Sequence, residues 1–170
     1  MFEGHAAGAH YSQAGGGSNF LCLHEEPLWN NYLNGHQSHT GSIYGVEYEV
    51  ESSNIFSEIN NGGYSLDDKP APCAVCYVQR RSTVLMIPGR NQCPNGWTTE
   101  YEGYLVSQYS GPNRDRKRSS YICWDEAPEV AVGNSDENQA VVYPVEVQCG
   151  SLPCSKYISG RELTCVVCSK

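Results

Sequence analysis

Apolar and polar residues alternate along several short stretches of this chain, which is the pattern of a half-buried β-strand. Residues 43–50 alternate apolar and polar residues, and residues 141–147 alternate in part. Residues 82–87 form a β-branched apolar run that ends before Pro88, which predicts a short buried strand. Gly, Asn, Pro and Ser interrupt the sequence at intervals of roughly ten residues, as in sandwiches and barrels. No helical period extends beyond two turns, so the sequence predicts an all-β fold.

The sequence contains an internal repeat, in which four segments recur in the same order. The matching segments are 2–4 with 101–103, 18–27 with 119–128, 44–48 with 143–147, and 73–76 with 165–168. Their offsets are 99, 101, 99 and 92 residues. We therefore predict a single domain over residues 1–170, built from a duplicated unit whose copies span about 2–88 and 93–170.

The composition and net charge of the chain exclude some classes of partner and indicate where the protein acts. The 170 residues carry a formal net charge of −8, which argues against nucleic acid or an anionic membrane as the main partner. No apolar run reaches the length that spans a bilayer, so we expect no membrane insertion. Only 18% of the residues are charged, whereas there are 17 glycines and 12 tyrosines, which indicates a loop-rich extracellular β-protein.

Nine cysteines in a chain of this length predict disulfides and an oxidising compartment, and hence a secreted protein. The odd number leaves one cysteine unpaired or linked to another chain. Cys-x-x-Cys occurs twice, at residues 73–76 and 165–168. The 89 positions between Cys76 and Cys165 exceed the spacing of a zinc ribbon, and no βαβ pattern supports a redox site. Structural disulfides are the preferred interpretation, with zinc left open because folding could join the two motifs.

Acidic residues gather in four places, two of which follow a cysteine. These places are Glu25–Glu26, Asp67–Asp68, the group Asp125, Glu126 and Glu129, and the loop Asp136, Glu137 and Asn138. Oxygen-rich loops fixed by a nearby disulfide can bind Ca²⁺, which takes six to eight oxygen ligands. A solvated acidic loop is the alternative at each place. No motif for a catalytic nucleophile, a metalloprotease or a phosphate-binding loop is present, so we predict a binding protein and not an enzyme.

Several motifs carry a resemblance to known extracellular proteins. The run from residue 86 through Cys-Pro-Asn-Gly-Trp at 93–97 to Tyr104, closed by Cys-Val-Val-Cys, resembles the junction and second half of the C-terminal non-collagenous domain of type IV collagen. A fuller set of segments is similar to the short-chain collagens of sponges, namely residues 18–23, 44–48, 72–76, 149–154 and 160–165. The Gly-x-y repeat of those collagens is absent from this sequence. In size and acidity the chain most closely resembles the free-standing, calcium-dependent, galactose-specific lectins of sea anemones.

The resemblance implies an extracellular, disulfide-stapled β-sandwich and leaves two classes of function. One is a lectin that binds terminal galactose through Ca²⁺, and the other is a matrix assembly module without a small ligand. In the resembled collagen half, the first cysteine pairs with the sixth, the second with the fifth and the third with the fourth. Carried to matching positions, this implies the disulfides Cys22–Cys73, Cys93–Cys168, Cys123–Cys165 and Cys149–Cys154. Cys76 then has no partner within the chain, and we expect it to link two copies of the chain in a symmetric homodimer.

The predicted galactose site lies in the second copy, because its loops carry the denser acid. Two adjacent sugar hydroxyls can replace two waters on Ca²⁺, and an aromatic ring can cover the apolar face of the sugar. The predicted metal ligands are Asp125, Glu126, Asp136, Glu137 and Asn138. Trp124 is the predicted stacking ring, with Glu129 in reserve at the sugar site. The pair Glu25 and Glu26 in the first copy remains a rival place for the ion.

Overall fold

The computed structural model describes residues 2–12, 19–29, 33, 43–51, 55–108, 120–133, 136–147 and 156–170. Over these residues the chain forms nine β-strands and one 3-10 turn at Ile59–Asn61, and it contains no α-helix. The strands are β1 (Phe2–Gly8), β2 (Leu21–His24), β3 (Tyr44–Tyr48), β4 (Pro72–Val75), β5 (Val84–Pro88), β6 (Thr98–Ser107), β7 (Ile122–Asp125), β8 (Ala140–Pro144) and β9 (Thr164–Ser169). The predicted all-β class is confirmed. None of the described segments contains a helix long and apolar enough to cross a membrane.

The nine strands are hydrogen-bonded into one mixed sheet. Its main path runs β2-β1-β3-β8-β6-β9-β5, with β4 added to β1 and β7 added to β6. All the pairings are antiparallel except that of β3 with β8, which is parallel and places Val46 opposite Ala140. This single parallel pair joins the N-terminal strands to the C-terminal strands. The β-sandwich remains a prediction.

The pairing pattern of β1 with β2, β3 and β4 recurs in β6 with β7, β8 and β9. Gly4 of β1 lies opposite His24 of β2 and Cys73 of β4. Gly103 of β6 lies opposite Asp125 of β7 and Cys165 of β9. We call β1–β4 the first half and β6–β9 the second half. The same residues that align in the sequence repeat therefore hold the same register positions in the sheet.

The alternating segments of the sequence form strands as predicted. Residues 43–50 contain β3, and residues 141–147 overlap β8. The apolar run at residues 82–87 forms β5, but the prediction that it is buried is wrong, because Val84 is 64% and Leu85 44% exposed. β5 ends the path of the sheet and pairs with β9 alone, so one of its edges lies outside the sheet.

Two apolar clusters form the interior. The larger one joins strands β3, β6 and β8 to two loops, and its buried members are Val46, Tyr48, Phe56, Leu66, Ala71, Val106, Ala140 and Val142. The smaller one contains Leu105 together with the disulfide of Cys123 and Cys165. Because the larger cluster draws on both halves, the burial of apolar surface that stabilises one half depends on the other.

The described residues contain three disulfides, and they are the ones that the resemblance implied for these cysteines. Cys22 bonds to Cys73 and Cys123 to Cys165, at matching positions of the two halves, while Cys93 bonds to Cys168. Cys76 is exposed and carries a free thiol. The implied pair Cys149–Cys154 lies outside the described residues. Cys73 of the first Cys-x-x-Cys motif and both cysteines of the second bond to cysteines elsewhere in the chain, which disfavours the zinc and redox alternatives.

Candidate functional site

Two glutamates, Glu47 in β3 and Glu49 just after it, face away from the larger apolar cluster. Successive side chains of a strand point to opposite faces, so Glu47 and Glu49 lie on the face opposite Tyr48. Glu47 is only 4% exposed. Its carboxylate oxygens accept hydrogen bonds from the backbone N–H groups of Glu137 at 3.2 Å and Asn138 at 2.9 Å. Glu47 therefore fastens the loop at residues 136–138 to β3.

A second acidic turn lies at the same end of β3. Asp67 Oδ1 accepts hydrogen bonds from the backbone N–H groups of Val50 at 2.7 Å and Glu51 at 2.8 Å. The N–H of Asp68 donates to Tyr48 O at 2.9 Å, and the N–H of Asp136 donates to Asp68 O at 3.2 Å. Backbone hydrogen bonds thus hold the 67–68 turn against both β3 and the 136–138 loop.

Three residues of these two turns adopt a left-handed backbone conformation, with φ of 58° at Asp68, 57° at Asp136 and 51° at Asn138. Asp and Asn tolerate this region better than other side chains with a Cβ. The Asn138 side chain also donates from Nδ2 to Asp136 Oδ1 at 2.7 Å. The residue types of the loop are therefore accounted for in part by its backbone shape.

Five carboxyl groups meet at this place, and we call them the acidic cluster: Glu47, Glu49, Asp67, Asp68 and Asp136. Burial, and then the charges of Asp68, Asp67, Glu47 and Asp136, raises the pKa of Glu49 to about 7. Burial also raises the pKa of Asp68, with further contributions from Asp67 and Asp136 that Lys69 partly opposes. The neighbouring carboxyl groups therefore raise the pKa of Glu49 and of Asp68, and Lys69 offsets only part of this effect at Asp68.

One carboxylate oxygen of Glu49 distinguishes this residue from the rest of the acidic cluster. Glu49 Oε1 is buried and has no hydrogen-bond partner within the part of the chain that the structure describes. A buried carboxylate oxygen without a partner is costly, and most such atoms in proteins are satisfied by hydrogen bonds or by an ion. Carboxylate oxygens are the ligands that Ca²⁺ prefers, so the donor chemistry of the cluster fits that cation. As the side chains stand, no three His, Cys, Asp or Glu groups of the described chain are arranged around a common metal position.

The predicted ligands fall in two separate places. Asp136 belongs to the acidic cluster, whereas Asp125 and Glu126 line an open cavity of about 520 Å³ with Glu100, Glu102 and Tyr101. Asp125 Oδ1 accepts the N–H of Ala127 at 2.9 Å. Arg81 forms an ion pair with Glu100 at 2.6 Å, so this cavity already contains a counter-charge. Among the described residues, a buried carboxylate oxygen without a hydrogen-bond partner therefore distinguishes the acidic cluster from the cavity.

The predicted sugar-contacting residues lie on the other side of β3. Trp124 packs against Tyr48 with 4.5 Å between ring centroids, and it joins the larger apolar cluster. The Tyr48 hydroxyl donates to the backbone oxygen of Glu129 at 2.6 Å. Burial, and then the charges of Glu129 and Asp125, raises the pKa of Tyr48. Trp124 thus contributes to the core, while the Glu129 side chain is exposed.

The rival acidic pair in the first half is exposed. The N–H of Glu25 donates to Glu3 O at 3.2 Å, and the N–H of Glu26 donates to His24 Nδ1 at 2.9 Å. His24 also stacks on Phe2, with 5.2 Å between the ring centroids. These contacts shape the end of β2, and neither glutamate belongs to the acidic cluster around Glu49.

A groove adjoins the acidic cluster through Asp67. Its volume is about 320 Å³, and its lining combines the apolar residues Val50, Phe56 and Leu66 with the polar residues Glu51, Glu58, Ser65 and Asp67. Tyr64 precedes Ser65 and is 75% exposed, so its ring is available at the surface. The volume of the groove lies at the lower end of the range of small-molecule sites, and its lining is more polar than is usual for them.

Sequence reasoning missed Glu47 and Glu49 as site residues. A signal for them was present, because an alternating strand that carries Glu-Tyr-Glu must place both carboxylates on one face of the sheet. The identity of the loop that covers that face depends on the tertiary fold, so the local sequence pattern does not predict it. The sequence matches no known family, and no solved structure matches the fold.

Proposed function

We propose that this protein is a secreted, calcium-dependent lectin that binds terminal galactose and catalyses no reaction. The observation that carries the proposal is the acidic cluster, in which a buried oxygen of Glu49 lacks a hydrogen-bond partner among the described residues and lies near four other carboxyl groups. A divalent cation would satisfy both the oxygen and the excess charge. Three disulfides in the described chain suit the oxidising environment outside the cell.

Glu49, Asp68 and Asp136 are the residues that we propose to hold the ion. Bound Ca²⁺ supplies open coordination positions, which the adjacent 3- and 4-hydroxyls of galactose can fill because the ion tolerates variable coordination. Glu47 keeps the 136–138 loop in place through its two backbone hydrogen bonds. Relative to the sequence prediction, the proposed ligand set keeps Asp136 and replaces Asp125 and Glu126 with Glu49 and Asp68. It leaves out Glu137 and Asn138, whose backbone N–H groups donate to Glu47.

The groove beside the cluster offers a place for the rest of the sugar ring. The carboxylates of Glu51 and Glu58 and the hydroxyl of Ser65 line it, and carboxylates accept strong hydrogen bonds from sugar hydroxyls. Tyr64, the exposed sequence neighbour of Ser65, carries an aromatic ring of the kind that covers the apolar side of a sugar. The duplication remains part of the proposal, and the matching registers around Gly4 and Gly103 support it.

A matrix assembly module is the second candidate, and the exposed thiol of Cys76 favours it. The two candidates differ in whether a sugar binds. A glycan array probed with and without EDTA separates them, since the lectin requires calcium-dependent signals on galactose-terminated glycans. Binding that is indifferent to EDTA would eliminate the calcium mechanism, and an array without signals would favour the assembly module.

Two matched variants locate the ion. Asp136→Asn removes a carboxylate from the acidic cluster and suits the left-handed backbone at that position. Asp125→Asn with Glu126→Gln removes two carboxylates from the other cavity. We expect calorimetric titration with CaCl₂ to lose its signal in the first variant and to keep it in the second. The opposite result would move the ion to the cavity at Asp125, as the sequence predicted.

A further inference from the structure

The outer edge of β4 differs from the matching edge in the second half. Cys73 and Cys76 of the first half align with Cys165 and Cys168 of the second. In the second half, β9 is covered on its far edge by β5, which places Leu85 opposite Cys168. Cys168 also forms a disulfide with Cys93. Over the described residues, β4 pairs with β1 alone, and Cys76 is an exposed free thiol.

The edge of β4 carries only part of the usual protection. Natural proteins shield edge strands with short strand length, proline, charged side chains, bulges or covering segments, because unpaired backbone groups invite pairing with another chain. β4 is four residues long and begins with Pro72, but it has no charged side chain. Residues 70–79 contain no charged side chain, although the whole chain has a net charge of −8. Val75 is 44% and Tyr77 74% exposed. β4 ends at Val75, and Cys76 and Tyr77 follow it outside the strand, so pairing across them would extend β4 by two residues. An acidic protein therefore presents an uncharged, partly apolar segment on which electrostatic repulsion between copies is weak.

We propose that this edge pairs with the same edge of a second copy of the chain, antiparallel about a twofold axis at Cys76. In that register Cys76 lies opposite its own counterpart, and Val75 lies opposite Tyr77 of the second copy. Closed twofold pairs are the commonest assemblies, and they use one self-complementary patch. Directly opposite residues of an antiparallel pair have Cα atoms about 4.5–5.5 Å apart, which falls within the range of disulfides. The second copy thus supplies both the strand and the cysteine that β9 receives within its own chain.

Formation of the inter-chain disulfide consumes a small-molecule disulfide. One Cys76 thiolate attacks that disulfide, forming a mixed disulfide and releasing a small thiolate. The Cys76 thiolate of the second copy then attacks the mixed disulfide, forming the inter-chain bond and releasing the second small thiolate. Two protein thiols are oxidised, and one small disulfide is reduced to two thiols.

The test of this register uses two displaced cysteines. One variant combines Cys76→Ser with Val75→Cys, and the other combines Cys76→Ser with Tyr77→Cys. When equal amounts are mixed in oxidised glutathione, we expect more than the half share of heterodimer that random pairing gives. The reason is that residues 75 and 77 face each other across the axis, whereas like residues are about 7–8 Å apart on the diagonal and beyond easy bridging. A heterodimer share of half or less on a non-reducing gel overturns the proposal.

A second measurement uses the native thiol. Val75→Lys with Tyr77→Lys adds two charges to the edge and leaves Cys76 in place. We expect disulfide dimers to form at least about tenfold more slowly in oxidised glutathione, although nearby lysines make a thiol more reactive. Ile59→Lys is the control, since Ile59 is 77% exposed and belongs to the 3-10 turn. An unchanged rate in the double-lysine variant, or wild-type protein that ends as a monomer capped by glutathione, contradicts edge pairing. Neither result bears on calcium or galactose binding, which the acidic-cluster variants test separately.

Discussion

Gly103 lies directly against the carbonyl oxygen of Trp124, and a Cβ on Gly103 would overlap that oxygen. Gly4 stands in the same relation to Leu23 in the first half. Neither glycine has a positive φ, so close approach of neighbouring strands is the requirement. We expect Gly103→Ala and Gly4→Ala each to lower the free energy of unfolding by at least about 2 kcal/mol, because a strand must shift. Chemical denaturation measures the effect.

Gly45→Ala is the matched control for these two changes. Gly45 also lies in a strand, but a Cβ there would meet no atom within 4 Å. We expect its unfolding free energy to stay near that of the wild type. A destabilisation of Gly45→Ala equal to that of Gly103→Ala would mean that glycine is required for some other reason than contact.

The fold class followed from the sequence because alternation at period two is a local property. Residues 43–50 show the pattern, and they contain β3. The burial of β5 was mispredicted because an apolar run does not reveal whether its strand lies inside a sheet or at the end of its path. The three disulfides came from the resemblance, since the positions of the cysteines alone allow many pairings.

The candidate site could be predicted from the sequence less well than the fold class. Asp125 and Asp136 are 11 positions apart and were assigned to one ion. In the fold, Asp136 joins Asp68 and Glu47 beyond one face of β3, whereas Asp125 lines the cavity with Tyr101 and Glu102. Sequence distance does not determine which face of a strand a loop reaches. The contribution of Glu49 depends on long-range packing, which no local pattern contains.

The carboxylate of Glu47 offers a test of how the 136–138 loop is held. Glu47→Gln keeps one carbonyl oxygen and replaces the other with a donor, so one of the two backbone N–H groups at Glu137 and Asn138 loses its acceptor. Hydrogen bonds to charged groups are worth about 1.5–3 kcal/mol, so we expect a loss of about 2 kcal/mol in stability. Hydrogen exchange at those two amides should accelerate. Glu3→Gln, at an exposed position on β1, should leave both amides unchanged.

The two disulfides at matching positions should differ in their contribution to stability. Cys22–Cys73 closes a separation of 51 residues and Cys123–Cys165 one of 42, so the loop-entropy contribution is about 4 kcal/mol for each. Cys165 is fully buried and Cys123 is 9% exposed, whereas Cys22 and Cys73 are only partly buried. Replacing Cys123 and Cys165 with Ala therefore also leaves a cavity, which adds about 1–2 kcal/mol. Thermal unfolding of the two double-alanine variants compares them, and equal losses would contradict a packing role.

Glu49 should make stability depend on pH in an unusual direction. Its pKa rises from 4.5 to about 7 on folding, so between these values the folded protein binds more protons than the unfolded chain. Stability from this group is therefore greatest at low pH and falls as the pH rises from about 4.5 to 7. Glu49→Gln removes the titration, and we expect it to stabilise the calcium-free protein by about 1 kcal/mol at pH 8 and to change little at pH 4.5.

Calcium should reverse the sign of that effect. If Glu49 holds the ion, CaCl₂ stabilises the folded wild type by mass action, because the unfolded chain lacks the assembled site. Glu49→Gln loses a ligand, so its melting temperature should respond less to CaCl₂ while its calcium-free stability at pH 8 exceeds that of the wild type. Glu146→Gln, at an exposed position, serves as the control with an unaltered response. A Glu49→Gln variant that gains as much from CaCl₂ as the wild type would place the ion away from the acidic cluster. It would leave the buried oxygen to be satisfied by water or by protonation, which the pH dependence of stability in EDTA tests directly.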